Sequence, residues 1–212
     1  MQKLETIYEI LLAHYGDLEW WPAETAFEVI VGAILTQNTA WTNVEKAIAR
    51  FGGDLSAERI LALSPEELQE IIRPAGFFRQ KSQYLKAVSE WLLSLGGDMD
   101  MLSSRPLPQI RAELLGIRGV GNETADSILL YAFQLPSFVV DAYTMRFFRR
   151  FPIPAGETYM EVKAFCEAGL PRDVEIYQHF HALIVQNGKE HCRKQMSCPG
   201  CPLAELCLKT AL

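Results

Sequence analysis

Apolar side chains recur at helical spacing along almost the whole chain. Over Ala26–Leu35, Phe27, Ile30, Val31, Ile34 and Leu35 fall at i, i+3, i+4, i+7 and i+8 and predict a helix with one apolar face. Ser64-Pro65-Glu66-Glu67 opens a second helix, with a Ser N-cap, Pro in the first turn and Glu placed to close a capping box. Leu68, Ile71 and Ile72 give it an apolar stripe, and Pro74 ends it. Tyr84, Leu85, Val88, Trp91, Leu92 and Leu95 predict a third, stopped by Gly96-Gly97. Ile176, Tyr177, Phe180 and Ile184 predict another, with Gly188 as its expected C-cap. Met1–His14 reads as the start of an amphipathic helix, and the acidic residues inside it argue against a signal peptide. Strand-like alternation is nearly absent, and Phe138-Val139-Val140 is too short to arbitrate. There is no internal repeat and no low-complexity linker. The expected fold class is all-α.

At 212 residues the chain fits one domain or two small ones, and its 49% apolar content is enough for a real core. No apolar run approaches a membrane span, so no membrane partner is expected. A formal charge of −6 argues mildly against nucleic acid, although binding follows local potential rather than the net figure. Basic residues gather at Arg146, Arg149 and Arg150, and again at Lys189, Arg193, Lys194 and Lys209. Each cluster by itself reads as an ordinary solvated face.

Chemistry enters with the cysteines. Four of the five stand near the C-terminus as Cys192-x5-Cys198-x2-Cys201-x5-Cys207. Without a signal peptide a cytoplasmic location is expected, and there clustered cysteines are more often metal ligands than disulfides. Thiolates suit zinc or an iron–sulfur cluster. Zinc sites usually pair two short hooks, and only Cys198-Pro-Gly-Cys201 has that spacing, so the long arms favour a bulkier [4Fe–4S] cluster. Cys166 lies apart and reads as a buried spectator.

Two further segments carry candidate chemistry. Gly119-Val120-Gly121-Asn122-Glu123-Thr124 places a glycine turn before a helix start, where free N–H groups form an anion site suited to a DNA phosphate. The same pattern also serves as a plain interhelix turn. Val139-Val140-Asp141 precedes another helix start, where Asp is an ordinary N-cap. A carboxylate partly desolvated there also presents fixed negative charge to a developing cation.

Taken in order, the glycine hairpin, the Val-Asp helix start and the cysteine loop resemble the endonuclease III-like branch of the helix-hairpin-helix DNA glycosylases. Leu35-Thr36-Gln37-Asn38-Thr39 and Gly76-Phe77-Phe78-Arg79-Gln80-Lys81 extend the likeness over nearly the whole chain. The resemblance implies a six-helix barrel over residues 22–135 that carries the hairpin, and a second helical domain from residues 1–21 and 136–212 that carries the cluster. It implies double-stranded DNA across a cleft with a damaged nucleotide flipped out, a monomer, and a prokaryotic, nucleoid-associated location. Asp141 takes the position of the catalytic aspartate. Gln37 and Phe77 match the residues that fill the vacated stack and wedge the duplex open; a helix-end amide and a core aromatic are the alternative readings. Gly119, Gly121, Asn122 and Thr124 match the phosphate-binding hairpin.

The chain departs from the pattern at one telling place. Bifunctional members carry a lysine in the hairpin helix that forms a Schiff base with the sugar, and here that position is Glu123, which also suits a helix first turn. A carboxylate forms no imine, so the expectation is a monofunctional glycosylase that hydrolyses the glycosidic bond. Leu35–Thr39, Arg73-Pro74-Ala75-Gly76-Phe77 and Trp20-Trp21-Pro22 resemble the 3-methyladenine DNA glycosylases of the superfamily, and Trp20, Trp21 and Trp41 are the candidate aromatics for the base. As a base pocket, their indole faces attract a cationic alkylpurine; as structure, they are core or a domain seam. The best-known members of that branch lack the cysteine loop, which leaves oxidised, deaminated or mispaired bases open. So does a non-catalytic iron–sulfur DNA-binding role; a stand-alone electron carrier leaves the hairpin and Asp141 unexplained.

Overall fold

A computed structural model describes residues 2–18 and 20–207; Lys209 of the second basic cluster lies outside them. Among the described residues the secondary structure is helical throughout, with no strand. The helices are α1 Gln2–Tyr15, α2 Ala26–Leu35, α3 Trp41–Ala49, α4 Ala57–Ala62, α5 Pro65–Ile72, α6 Phe78–Ser94, α7 Met99–Ser103 and α8 Leu107–Gly116. They continue with α9 Asn122–Ser127, α10 Ala142–Arg150, α11 Tyr159–Gly169 and α12 Val174–Glu190. A 3₁₀ turn, Arg73–Ala75, follows α5, and α9 runs on as a π-helical turn over Ile128–Ala132. The all-α expectation holds.

The chain divides into two compact units. One is Trp21–Leu135; the other joins the residues before it to those from Pro136 onward. Within the first, α2 is the central element. The periodicity predicts one apolar face, but Val29, Gly32 and Ala33 are buried as well, so the helix is enclosed on all sides. Thr25 caps its start by accepting from Glu28 N at 3.1 Å. The capping box of α5 forms as expected, with Glu67 N donating to Ser64 Oγ and Ser64 N to Glu67 Oε2. Its helix ends at Ile72, just before the Arg73-Pro74 turn.

In the second unit, α12 does not stop at Gly188. It runs to Glu190, with His191 as its C-cap, so the expected glycine cap is incorrect. The reason is packing. A Cβ at position 188 would lie 2.5 Å from Tyr143 Cδ1, so the missing side chain lets α10 close on α12.

Phe138-Val139-Val140 is extended and fully buried, yet pairs with no strand. Buried backbone polar groups need partners, and side chains of α11 supply them. Phe138 N donates to Glu167 Oε1 at 2.9 Å, while Lys163 Nζ donates to Phe138 O at 3.1 Å and Ser137 Oγ at 2.7 Å. This rail leads straight to Asp141. Cys166, on the same helix, is buried, and that burial pushes its thiol well up. No helix among the described residues is long and apolar enough to cross a membrane.

Candidate active site

The first unit holds the hairpin and its neighbours. α8 turns through Ile117–Gly121 into α9. Gly119 has φ +88, and a Cβ there would lie 2.2 Å from the Tyr84 ring, so both its backbone angle and its packing require glycine. Gly121 caps α9, and no heavy atom lies within 4 Å of where its Cβ would be. Asn122 and the exposed Glu123 stand in the first turn, and Thr124 is buried.

A clamp not readable from the sequence fixes this geometry. Arg111 on α8 donates from Nε and Nη2 to the two carboxylate oxygens of the fully buried Asp126, at 2.9 and 3.0 Å, and from Nη2 to Asn122 Oδ1 at 2.9 Å. Breaking such a pair leaves a buried charge, and Arg111→Met is expected to cost about 3–5 kcal/mol of stability, measurable by urea unfolding.

Gln37 and Phe77 lie in two further turns of this unit. Gln37 Nε2 donates to Gly119 O at 2.9 Å and to Thr124 Oγ1 at 3.0 Å, so its amide is bound to the hairpin rather than to its own helix end. Phe77 is 62% exposed and adopts φ 46, a left-handed conformation unusual for a bulky residue. It is not a core aromatic.

Trp21 and Trp41 come together over Gly32, with ring centroids 5.6 Å apart in a T-shape. Trp21 also stacks on Tyr131 at 4.9 Å and has φ 65. Both indole Nε1 atoms are buried and make no hydrogen bond. Tyr131 belongs to a run of buried apolar residues, and nothing in the sequence marks it as the partner of Trp21.

The second unit holds Asp141. It is the N-cap of α10, with Oδ1 accepting from Thr144 N at 2.7 Å. Oδ2 faces His181 Nε2 at 3.8 Å, beyond hydrogen-bond reach and within that of an ion pair. Burial pushes the carboxyl pKa up, but His181 and the Thr144 N–H pull harder, and the net result lies below the ordinary carboxylate value. An ionised, partly buried aspartate at a helix N-terminus results. The cap and the charge, alternatives by sequence, coexist in one side chain.

Trp20 falls in this unit. Its ring meets His181 edge-on at 6.1 Å, and Lys189 Nζ sits over it at 4.8 Å. A cation of the protein therefore already lies on one face of this indole.

The four cysteines line a single cavity of about 30 Å³, together with Phe147, Phe151, Leu203, Asn187 and Arg150. Cys201 Sγ donates to Asn187 Oδ1, and Cys207 Sγ to Arg150 O, each at 3.6 Å. Burial raises the Cys201 thiol pKa, and the charges of Cys207, Cys192 and Cys198 push the same way. Among the described residues no three His, Cys, Asp or Glu side chains are gathered to hold one metal ion. The four thiols therefore share one cavity without being gathered into a ligand set for a single ion.

Arg150 corrects one expectation. It is 1% exposed rather than solvated, and Nη1 donates to Cys192 Sγ at 3.2 Å and Arg193 O at 2.7 Å. Arg146 Nε donates to Cys192 O at 2.6 Å. Arg149, on the exposed side, does face solvent beside Glu157, at 3.8 Å. Two of the three arginines thus hold the cysteine loop instead of forming a basic face.

Residues 31–172 match the model of the HhH-GPD superfamily of base excision DNA repair proteins. A putative DNA repair glycosylase of Methanocaldococcus jannaschii is 49% identical, over 98% of this chain and 96% of its own. An endonuclease III in a non-covalent complex with DNA has the same fold, with a TM-score of 0.82 and 24% identity over 97% of this chain and 94% of its own. The 3-methyladenine DNA glycosylase of H. pylori, solved with 1,N6-ethenoadenine, gives a TM-score of 0.75 and 28% identity, over 89% of this chain and 96% of its own.

Proposed function

The chain belongs to the HhH-GPD superfamily of base excision DNA repair proteins, and we propose that within it this protein is a monofunctional glycosylase for alkylated purines in double-stranded DNA. The observation that carries the reading is an ionised, partly buried Asp141 in a chain with Glu123 where a Schiff-base lysine would stand. The lysines nearest in the motifs have other partners. Lys81 is bound to Leu35 O and Ala75 O, and Lys163 to Ser137, Phe138 and Glu167.

An N3- or N7-alkylated purine is cationic and leaves readily. The C1′–N bond breaks, its electron pair departs with the base, and positive charge develops on the sugar. The Asp141 carboxylate stabilises that charge. Water then adds to C1′, with Asp141 orienting it and accepting its proton. The hairpin Gly119, Gly121, Asn122 and Thr124 binds a backbone phosphate, Gln37 and Phe77 hold the duplex open, and Trp20, Trp21, Trp41 and Glu123 are each assigned to recognition of the base. The protein acts as a monomer.

Cys192, Cys198, Cys201 and Cys207 are assigned to a [4Fe–4S] cluster. Held by these four residues, the cluster would cross-link the C-terminal loop, and the reaction on the base is assigned to Asp141 alone. Arg193 and Lys194, exposed on that loop, present positive charge to DNA.

One observation favours a different substrate class. Lys189 on the face of Trp20 weakens that ring as a receptor for a cationic base and suits an uncharged oxidised, deaminated or mispaired one. The H. pylori relative, bound to an ethenoadenine, favours the alkylpurine side. A panel of single-lesion duplexes with borohydride added tests both the substrate and the chemistry. The expected outcome is an abasic product that stays unnicked until alkali is added, with no trapped protein–DNA adduct. A borohydride-trapped adduct would show a lyase and remove the Glu123 argument.

A further inference from the structure

Lys81 lies on α6, one turn after Phe77, and is 2% exposed. A buried ammonium is costly unless its protons find acceptors. Its Nζ donates to Leu35 O at 2.7 Å and to Ala75 O at 2.8 Å. Leu35 is the last residue of α2, and Thr36-Gln37 follow it directly. Ala75 closes the 3₁₀ turn, and Gly76-Phe77 follow it directly. Both carbonyls stand at helix ends, where no intrahelical donor reaches them.

One side chain therefore joins the roots of two turns that are 40 residues apart in the sequence, Gln37 and Phe77. The backbone N–H of residue 81 donates to Phe77 O at 3.0 Å as the first bond of α6, independently of the side chain. The ammonium is 6.0 Å from the Phe77 ring centroid, at the outer range of a cation–π contact. A bulky residue in left-handed backbone persists only where its surroundings over-determine it, and these contacts do so for Phe77. Gln37 in turn is bound to Gly119 O and Thr124 Oγ1, which extends the linkage to the hairpin. Burial also holds the ammonium pKa down, at about 8.

We propose that Lys81 is a positioning residue that fixes the Phe77 turn in register with the Gln37 turn, so that both side chains enter the duplex at the same lesion. This rests on the assignment of Gln37 and Phe77 as the duplex-opening residues. Lys81 touches no substrate; it acts through Phe77.

A double-mutant cycle on the full-length protein tests it, using a duplex with a tetrahydrofuran site opposite 2-aminopurine. Affinity and 2-aminopurine fluorescence are measured for wild type, Phe77→Ala, Lys81→Met and the double variant. Each single change is expected to weaken binding about tenfold and to quench the fluorescence rise. The double variant should be no weaker than Phe77→Ala alone, because coupled residues are not additive. Lys81→Gln, which keeps a donor for one carbonyl, should fall between wild type and Lys81→Met, and it carries the cycle if Lys81→Met does not fold. Additive losses, or a full fluorescence rise in the Lys81 variants, would overturn the proposal. Unchanged binding and fluorescence in Phe77→Ala would instead remove the wedge assignment on which it rests.

Discussion

Asp141→Asn is expected to lower base release about 10³-fold while leaving the protein folded, in line with the roughly 10²–10⁴-fold effects of removing a charge-stabilising or proton-accepting group. Asparagine is as good an N-cap as aspartate, so it retains the bond from Thr144 N and the start of α10. What it loses is the fixed negative charge. Melting temperature and kcat, measured side by side, separate the two roles. An Asp141→Asn protein as active as wild type would leave the carboxylate a cap and nothing more. The pH profile follows from the same environment. A carboxyl whose folded pKa is depressed adds stability above its unfolded value, about 3.9, and loses that contribution as pH falls through the lower folded value. Asp141 is therefore ionised across the neutral range, and kcat/KM should show no acid limb from it between about pH 5 and 8.

Cys201→Ala is expected to have the second large effect. The wild-type protein, purified without oxygen, should carry four irons and four sulfides per chain, following from a four-thiolate [4Fe–4S] cluster. Removing Cys201, whose thiol is bound to Asn187 inside the cavity, should lose most of that iron and lower the melting temperature by about 4–20 °C. That range takes the cluster as a cross-link worth about 2–5 kcal/mol, at about 2–4 °C per kcal/mol for a chain of this size. Iron analysis and a thermal melt of both proteins check this. One bound zinc in place of iron, or an unchanged melt, would contradict it.

What the sequence shows most clearly is local. Ser64 and Glu67 form their capping box because cap, proline and carboxylate lie within one turn of each other. Asp141 caps α10 for the same reason. The ordered motifs identify the family because each is a short contiguous string. Contacts between distant segments carry no such signal. His181 opposite Asp141, Tyr131 against Trp21, Lys189 over Trp20 and Arg111 on Asp126 each pair residues with no fixed spacing. Arg150 is the instructive miss. Counted along the chain it is one of a basic trio, but helix geometry turns it inward while Arg149 faces out, and the cysteine loop needs its donors. Gly188 failed as a C-cap because its role is set by Tyr143, 45 residues away in the sequence, and not by the end of its own helix.

The most direct test of the central claim is chromatography of the bases freed from dimethyl sulfate-treated double-stranded DNA, with wild type and Asp141→Asn compared at equal concentration. The account predicts release of 3-methyladenine or 7-methylguanine by wild type and almost none by the variant. No release of either base by the wild type, alongside activity on a deaminated, oxidised or mispaired duplex, would contradict the alkylpurine assignment.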